Sequence, residues 1–234
     1  MKKFFMALII IFISLSLCGC DGNLNKIVNE AVSEVRYNLF VANSEEIFVE
    51  FSSGFREDPY VINGVSNAKK EFGVVSVKFL KDMNSYDGLP SFVLTINGVN
   101  FDREFELNPF NQTYVQDIET FVLDDDVISI KVLWGDFCFE SELENKSKNF
   151  NLNHKDVLKI MIKEFKSNLK KMIKNQTFQG EIYVKIIVDP SLLIEKTYWY
   201  VGVVGRTGQN YSIIIDPISK QILAKKESEN SLSI

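Results

Sequence analysis

Short β-rich runs separated by turn residues fill the chain between residues 37 and 143, and they set the strongest limit on how it can fold. Three of these runs are Ile47–Phe51, Val74–Phe79 and Phe92–Ile96, which are rich in β-branched and aromatic residues. Asn97-Gly98 follows the third run and predicts a type I′ hairpin, because this turn needs positive φ at both central residues. About seven strands in roughly a hundred residues favour an antiparallel sandwich or a curled sheet.

A helix-plus-sheet module is predicted after this β-rich domain. Residues 141–152 are polar and poorly periodic, and we place a linker at 144–152. A helix is predicted over 154–174, because Asn153 is a good N-cap and an apolar stripe follows at helical spacing. The stripe comprises Leu158, Met161, Ile162, Phe165, Leu169 and Met172. Strand-like runs then occupy 181–188, 198–204 and 211–215, with a fourth candidate at 222–224. The predicted fold class is therefore α+β.

The last part of this module carries a recognisable motif. The apolar run Tyr211–Ile215 is followed by Asp216, a turn that contains Lys220, and the short run Ile222–Leu223. This order resembles the end of PepSY-type domains, in which a Gly is common at the turn position of Lys220. The resemblance covers residues 153–228, and residues 229–234 form a polar tail. It implies a small extracytoplasmic module that binds or restrains other envelope proteins and does no catalysis.

Composition and charge narrow the functional classes. Hydrophobic residues make up 46% of the 234 residues and the net charge is −5, as in a folded, mildly acidic protein. A general nucleic-acid binder needs an excess of Lys and Arg to neutralise phosphate. One His and three Cys leave little room for a zinc site or a His-based triad. We expect no nucleic-acid partner, no metal and no cofactor.

The N-terminus predicts export and lipidation. Lys2 and Lys3 precede an apolar run over residues 4–17, which is shorter than the ~20 residues that span a bilayer and is typical of a secretory signal peptide. The run ends in Leu17-Cys18-Gly19-Cys20, which resembles the lipobox of bacterial lipoproteins. The resemblance implies cleavage between Gly19 and Cys20, a signal peptide at 1–19 and palmitate-type lipidation of Cys20. The protein would then be anchored at the extracytoplasmic face of the cell membrane. An ordinary secretory peptide and an uncleaved anchor are the alternatives.

The mature chain depends on core packing for its stability. Removing residues 1–19 leaves 215 of the 234 residues and removes two lysines, so that the net charge falls from −5 to −7. With Cys20 lipidated, Cys138 is the only free thiol, which excludes an intramolecular disulfide. Residues 20–36 hold the lipidated Cys and a short amphipathic helix, predicted over 24–36. Its polar side lacks the basic bias of a helix that lies on anionic lipid, so we expect it to pack against the following domain.

Several chemistry-bearing residues receive a structural interpretation. His154 is interpreted as a solvated histidine at a helix start and Cys138 as a small buried residue in another domain, so that no Cys–His pair is predicted. Asp124–Asp126 separates the run Thr120–Leu123 from Val127–Trp134 and is interpreted as a solvated turn, because calcium loops alternate their ligands. Tyr198 and Tyr200 are expected on one face of a strand and Trp199 on the other, and one of these faces must meet the helix. Core packing would then explain at least half of the aromatic residues Trp134, Tyr198, Trp199 and Tyr200, which could otherwise stack on sugar rings.

Two surfaces are candidates for binding. The first is a predicted loop in which Arg56 and Tyr60 could contact a partner. The alternative is that this loop is a structured connector with local ion pairs. The second is the lysine side of the helix over 154–174, which would bind anionic envelope polymer, anionic lipid or an acidic protein. The alternative is that this side is only a solvated face. Its candidate residues are Lys159, Lys163, Lys166 and Lys170.

The sequence thus predicts a membrane-anchored envelope lipoprotein with a non-enzymatic binding or accessory role towards another envelope protein or polymer. The membrane is its partner through the N-terminal lipid. The alternative is a carboxylate-based extracytoplasmic hydrolase, because acid–base pairs need neither His nor Cys. A cleft with two carboxylates of divergent pKa would favour the hydrolase, whereas an exposed apolar or aromatic patch without such a pair would favour binding.

Overall fold

A computed structural model describes residues 23–58, 68–81, 87–188 and 196–229. Within these ranges the chain is β-rich and has three short helices. The helices are α1 (23–30), α2 (His154–Glu164) and α3 (Lys166–Lys171). The strands are β1 (Val32–Asn43), β2 (Ile47–Asp58), β3 (Ala68–Phe79), β4 (Ser91–Ile96), β5 (Val99–Glu104), β6 (Glu106–Asn108), β7 (Thr113–Ile118), β8 (Ile128–Trp134), β9 (Phe137–Glu142), β10 (Glu144–Asn145), β11 (Ile173–Lys174), β12 (Thr177–Phe178), β13 (Gly180–Val188), β14 (Thr197–Gly205), β15 (Gln209–Ile215) and β16 (Ile222–Glu229).

One large sheet runs through most of the described chain. Its strand order is β16-β15-β14-β13-β1-β2-β3-β7-β6, and β10 also pairs with β1. The pair β1–β13 is parallel, with Val35 opposite Val184, so that strands from 37–143 and from 153–228 meet in one sheet. Part of the segment predicted as a linker is β10, which lies opposite Phe40 and Val41. A second, four-stranded sheet has the order β5-β4-β8-β9, and β11 and β12 form a separate hairpin.

Two hydrophobic cores form on this framework. The helix-side core joins the three helices to β13, β14, β15 and the start of β1, and it includes Val28, Val35, Leu158, Val184 and Trp199. All six apolar residues of the predicted helical stripe are buried in it. The two-sheet core joins the large sheet to the four-stranded sheet, with Phe40, Phe51, Phe92, Leu94 and Ile130 among its members. Each core is made of residues far apart in the sequence.

The first helix is shorter than predicted. Residues 23–30 are helical, but Val32 already begins β1. The spacing of Val32 and Val35 fits both a helical stripe and a buried strand. These residues form a strand because β1 pairs with both β13 and β2. The helix packs on the protein as expected, since Leu24, Ile27 and Val28 are buried in the helix-side core. That core is formed mainly by residues 152–215, so the predicted packing against the β-rich domain that follows α1 is wrong.

The second predicted helix divides in two. Asn153 caps α2 as predicted, and its side chain accepts hydrogen bonds from the backbone N–H groups of Lys155 and Asp156 at 3.0 and 3.1 Å. The helix is interrupted at Phe165, which has φ −109° and ψ 29° and packs its ring 5.2 Å from that of Tyr211. Ile173 and Lys174 are not helical, because they pair with β12.

Local turn chemistry agrees with the sequence at two places. Asn97 and Gly98 have φ values of 49° and 84° between β4 and β5, as a type I′ turn requires. The Asp216 carboxylate accepts hydrogen bonds from the backbone N–H groups of Ile218 and Ser219, and these bonds lower its pKa. Lys220 has φ 65° and so adopts the left-handed conformation that Gly takes most easily.

A predicted strand and a predicted loop are both wrong, because contacts with distant residues determine the structure at each place. The run Thr120–Leu123 forms no strand; Val122 is buried in the two-sheet core, and its carbonyl accepts a hydrogen bond from the Asn38 side chain. Gly54 to Asp58 belong to β2 rather than to a loop.

Among the described helices, none combines the length and apolar character needed to cross a membrane. Residues 1–22, with the predicted signal peptide and Cys20, lie outside the described ranges.

Candidate functional site

A groove lies at the N-terminal end of α2, where two cavities share His154. The aromatic cavity, of about 330 Å³, is bordered by Tyr37, Phe121, Phe150 and Trp199 together with polar residues of 147–153. The α1–α2 cavity, of about 350 Å³, lies between α1, α2 and strands β1, β2, β3 and β13. We call the two together the His154 groove. Their volumes are at the lower end of the range for small-ligand sites.

Four rings form an aromatic wall between the two cavities: Tyr37 and Phe121 line the aromatic cavity, Phe55 lines the α1–α2 cavity, and His154 lines both. The Tyr37 ring stacks on the His154 imidazole with centroids 5.3 Å apart and an interplanar angle of 27°. Its centroid also lies 5.8 Å from that of Phe55 and 6.2 Å from that of Phe121. Phe55 and Phe121 stack on each other at 5.9 Å. Such ring pairs stabilise one another beyond the apolar surface that they bury, so the groove has a continuous aromatic wall.

Backbone features place these rings. Tyr37 lies at an irregularity in the β1–β2 register, between Arg36 and Asn38, and such bulges reorient side chains. The Asn38 amide donates to the Val122 carbonyl over 2.6 Å, which fixes the segment that carries Phe121. The cap of α2 at Asn153 fixes the start of the helix and with it His154.

Trp199 supports the aromatic cavity from the core. Its side chain is 1% exposed, and its indole N–H donates to the Leu152 carbonyl over 3.2 Å. This bond ties the segment before α2 to β14. The expected alternation is confirmed, and the structure shows which face is buried: Trp199 lies in the core, whereas Tyr198 and Tyr200 are half-buried on the other side of the strand.

The groove holds neutral rather than charged ring groups. Burial, together with the charges of Lys155 and Lys69, lowers the pKa of His154. Burial, and secondarily the charges of Glu71 and Asp124, raises the pKa of Tyr37 to about 12. Both side chains are therefore uncharged at neutral pH. Within the described ranges neither the His154 ring nitrogens nor the Tyr37 hydroxyl makes a hydrogen bond, so both can bond to a ligand.

We expect His154 to titrate below its ordinary pKa of about 6.5. A lowered pKa in the folded state means that the folded protein favours the neutral ring. The contribution of His154 to the free energy of unfolding is therefore fully present above pH 6.5, and it is lost as the pH falls through the pKa of the folded state. Because His154 is the only histidine, one imidazole NMR signal reports its titration directly. His154→Gln should lose less stability between pH 7 and 5 than the unaltered protein. A midpoint at or above 6.5 would contradict the burial argument.

The structure corrects the interpretation of His154 and Cys138. His154 is half-buried rather than solvated, because Tyr37 covers one face of its ring. Cys138 is exposed on β9 rather than buried, and it lines neither cavity of the groove. Phe137 and Phe139, its neighbours in the strand, occupy the side that packs on the two-sheet core.

The first predicted binding surface is occupied by internal contacts. Arg56 forms an ion pair with Asp117, and its guanidinium lies 4.6 Å from the centroid of the Phe72 ring. The expectation of a loop connector with local ion pairs at Arg56 is thus wrong, because Arg56 lies in β2 and its partner is on β7. Tyr60 lies outside the described residues.

The lysine side of α2 and α3 is exposed. Lys159 forms an ion pair with Asp156 over 3.1 Å. Lys163, Lys166 and Lys170 are exposed as well. Contact with an anionic partner through these residues stays a prediction.

The acidic turn is held by local bonds. The Asp126 carboxylate accepts hydrogen bonds from the Leu123 N–H and the Asn97 amide, both over 2.7 Å. Asp125 forms an ion pair with Lys148 over 2.9 Å. Across the described part of the chain, no three His, Cys, Asp or Glu side chains converge as a metal site would require.

Comparison with known protein families, with curated proteins and with solved structures gave no match to this chain.

Proposed function

We propose that the protein is a lipid-anchored envelope protein that binds its partner, without catalysis, in the His154 groove. The observation that supports this most is the wall of four rings between two cavities, in which Tyr37 contacts the other three rings and the uncharged His154 imidazole lines both cavities. The partner is another envelope protein or an envelope polymer. Cavities lined by aromatic residues with a few polar groups are typical of binding sites.

The charge distribution in the groove supports binding over hydrolysis. Glycosidase-type hydrolysis uses two carboxyl groups across one cleft, with pKa values held apart by their surroundings. Of the described residues, Asp124 is the only acidic one that lines either cavity. We therefore rank the carboxylate-based hydrolase below the binding protein.

The proposal includes the anchor and the layout of the chain. Signal cleavage after Gly19 and lipidation of Cys20 would leave two residues between the lipid and α1, which begins at residue 23. Residues 37–143 would be an antiparallel sandwich, and residues 153–228 a PepSY-like module. The helix-then-strands order of α2, α3 and β13–β16 supports this assignment of the module. The protein would then reside at the extracytoplasmic face of the membrane.

Metabolic labelling tests the anchor. Cells that express the chain are grown with radiolabelled palmitate, next to cells that express Cys20→Ala. We expect label only in the Cys20 protein and release of the variant from the membrane fraction. Cys138→Ala is the matched control and should keep its label. Equal labelling of Cys20→Ala would refute the anchor.

Site-specific photocrosslinking tests the groove. A photoreactive phenylalanine analogue replaces Phe121, which lines the aromatic cavity, or Val99, which is 59% exposed on the hairpin of the other sheet. In living cells we expect one dominant adduct from position 121 and only diffuse adducts from position 99. The position-121 adduct should weaken when Tyr37→Ala is added. Identical adduct patterns from both positions would exclude the groove as the binding site.

A further inference from the structure

We propose that the α1–α2 cavity binds the anionic end and the adjoining apolar segment of an amphiphile, such as a fatty-acyl carboxylate. This inference goes beyond the proposed function, because it adds an amphiphile as the ligand of one half of the groove beside the envelope protein or polymer, and it rests on the groove being a binding site. The cavity combines an apolar floor with two lysines that have no ion-pair partner in the described part of the chain. That combination fits a ligand with an anionic head and a hydrocarbon body.

The floor of the cavity is part of the helix-side core. Val32, Val35 and Val184 contribute from paired strands, and Leu158 contributes from α2. The Phe55 ring closes one side and is only half-buried. An acyl segment of several carbons in this space would bury apolar surface of both ligand and protein, which is the main source of affinity for such ligands.

Two cations stand at the polar rim. Lys69 on β3 and Lys155 on α2 both line the cavity, and both side chains reach solvent. Neither ammonium group has an ion pair or hydrogen bond among the described residues. Burial lowers the pKa of Lys69, which means that its positive charge is incompletely compensated there. An anionic head between the two groups would compensate both.

Three acidic groups lie around the α1–α2 cavity, but none of them lines it. Glu57 lies opposite Lys69 in the β2–β3 pair, and its charge acts against the burial effect on the Lys69 pKa. Glu71 acts on Tyr37 at the other side of the aromatic wall. Asp156 on α2 is engaged by Lys159. None of these three carboxylates lines the α1–α2 cavity.

The other lysines lack this setting. On the exposed side of α2 and α3, Lys163 and Lys170 stand on solvated helix surface and line none of the cavities of the groove. They therefore provide matched controls, because they are two exposed lysines of the same charge, one of them on α2 with Lys155, that stand without an apolar floor.

Titration of the full-length chain in phosphatidylcholine nanodiscs tests the proposal. The single histidine carries a ¹³C label, so its NMR signal reports occupancy of the cavity at His154 and not partition of the probe into lipid. The probes are octanoate, octanol and octyltrimethylammonium at pH 7.5. We expect a saturating shift with octanoate, at least tenfold weaker binding of octanol and no saturating shift with the cation.

Variants separate the charge contribution from the apolar one. The double variant Lys69→Gln/Lys155→Gln should weaken octanoate binding at least tenfold, because charge-assisted bonds contribute more than neutral ones. Lys163→Gln/Lys170→Gln should leave it unchanged within twofold. Equal binding of octanoate and octanol, or no response to either, would overturn the inference.

The two proposals fail in distinguishable ways. If octanoate leaves the His154 signal unchanged while position 121 still gives its specific adduct, the amphiphile assignment is wrong and the groove remains the binding site. If both fail, the groove is not a ligand site, whatever the palmitate labelling shows about the anchor.

Discussion

Replacement of Trp199 by Ala is expected to lower the free energy of unfolding by about 3–5 kcal/mol. The indole is one of the largest fully buried side chains, and its loss leaves a cavity between β14 and the segment before α2. It also leaves the Leu152 carbonyl without the indole donor. Because Trp199 borders the aromatic cavity, the variant should lose the specific photoadduct at position 121 as well as stability.

Urea unfolding monitored by circular dichroism measures this effect. Tyr198→Ala is the matched control, since Tyr198 is the preceding residue of β14 and is half-buried on the other face. It should cost no more than about 1 kcal/mol. If the two variants lost similar amounts of unfolding free energy, the two faces of β14 would contribute equally to stability. That result would contradict the burial of Trp199 in the helix-side core.

Replacement of Gly54 by Ala is the second large effect. A Cβ at this position would lie 1.8 Å from the Val35 carbonyl oxygen and 3.0 Å from the Arg36 Cα. These are backbone atoms of the neighbouring strand, so no side-chain rotation can relieve the overlap. We expect a loss of at least about 1–3 kcal/mol, the usual range for overpacking. The distortion falls beside Tyr37, so the imidazole signal of His154 should shift too.

Ser52→Ala, two residues away on β2, serves as the control for Gly54→Ala. The Ser52 hydroxyl is buried, and its oxygen has no hydrogen-bond partner among the described residues. Removing an unpaired buried polar group relieves a desolvation penalty, so this variant should be neutral or stabilising. Thermal unfolding of both variants gives the comparison. A Gly54→Ala protein as stable as Ser52→Ala would show that β1 and β2 do not approach as closely as described.

The groove itself could not be predicted from the sequence. Tyr37, Phe55, Phe121 and His154 are far apart in the chain, and their ring contacts depend on the β1–β2 pairing and on the docking of α2. Nothing in the spacing of these residues signals their convergence. The solvated interpretation of His154 failed for the same reason, since a helix N-cap reveals nothing about what packs on the first turn.

Competing periodicities limited the prediction at the start of the described chain. Val32 and Val35 satisfy both a helical stripe and a buried strand, and only the presence of β2 and β13 on either side selects the strand. The prediction for Cys138 failed because residue type alone favours burial, whereas the register of β9 against β8 places its side chain on the exposed face.

The sequence by itself determined the features that depend on neighbouring residues. The Asn97-Gly98 turn needs φ values that these two residues adopt readily, the Asn153 cap bonds to N–H groups two and three residues ahead, and the alternation around Trp199 follows from the pleat of one strand. The tertiary structure alone decided the parallel β1–β13 pairing and the convergence of the rings on His154. The physical reason is that the Val35–Val184 and Tyr37–His154 contacts join segments over a hundred residues apart. At such separations the free energy of burying the whole surface, and not any local preference, selects the partner.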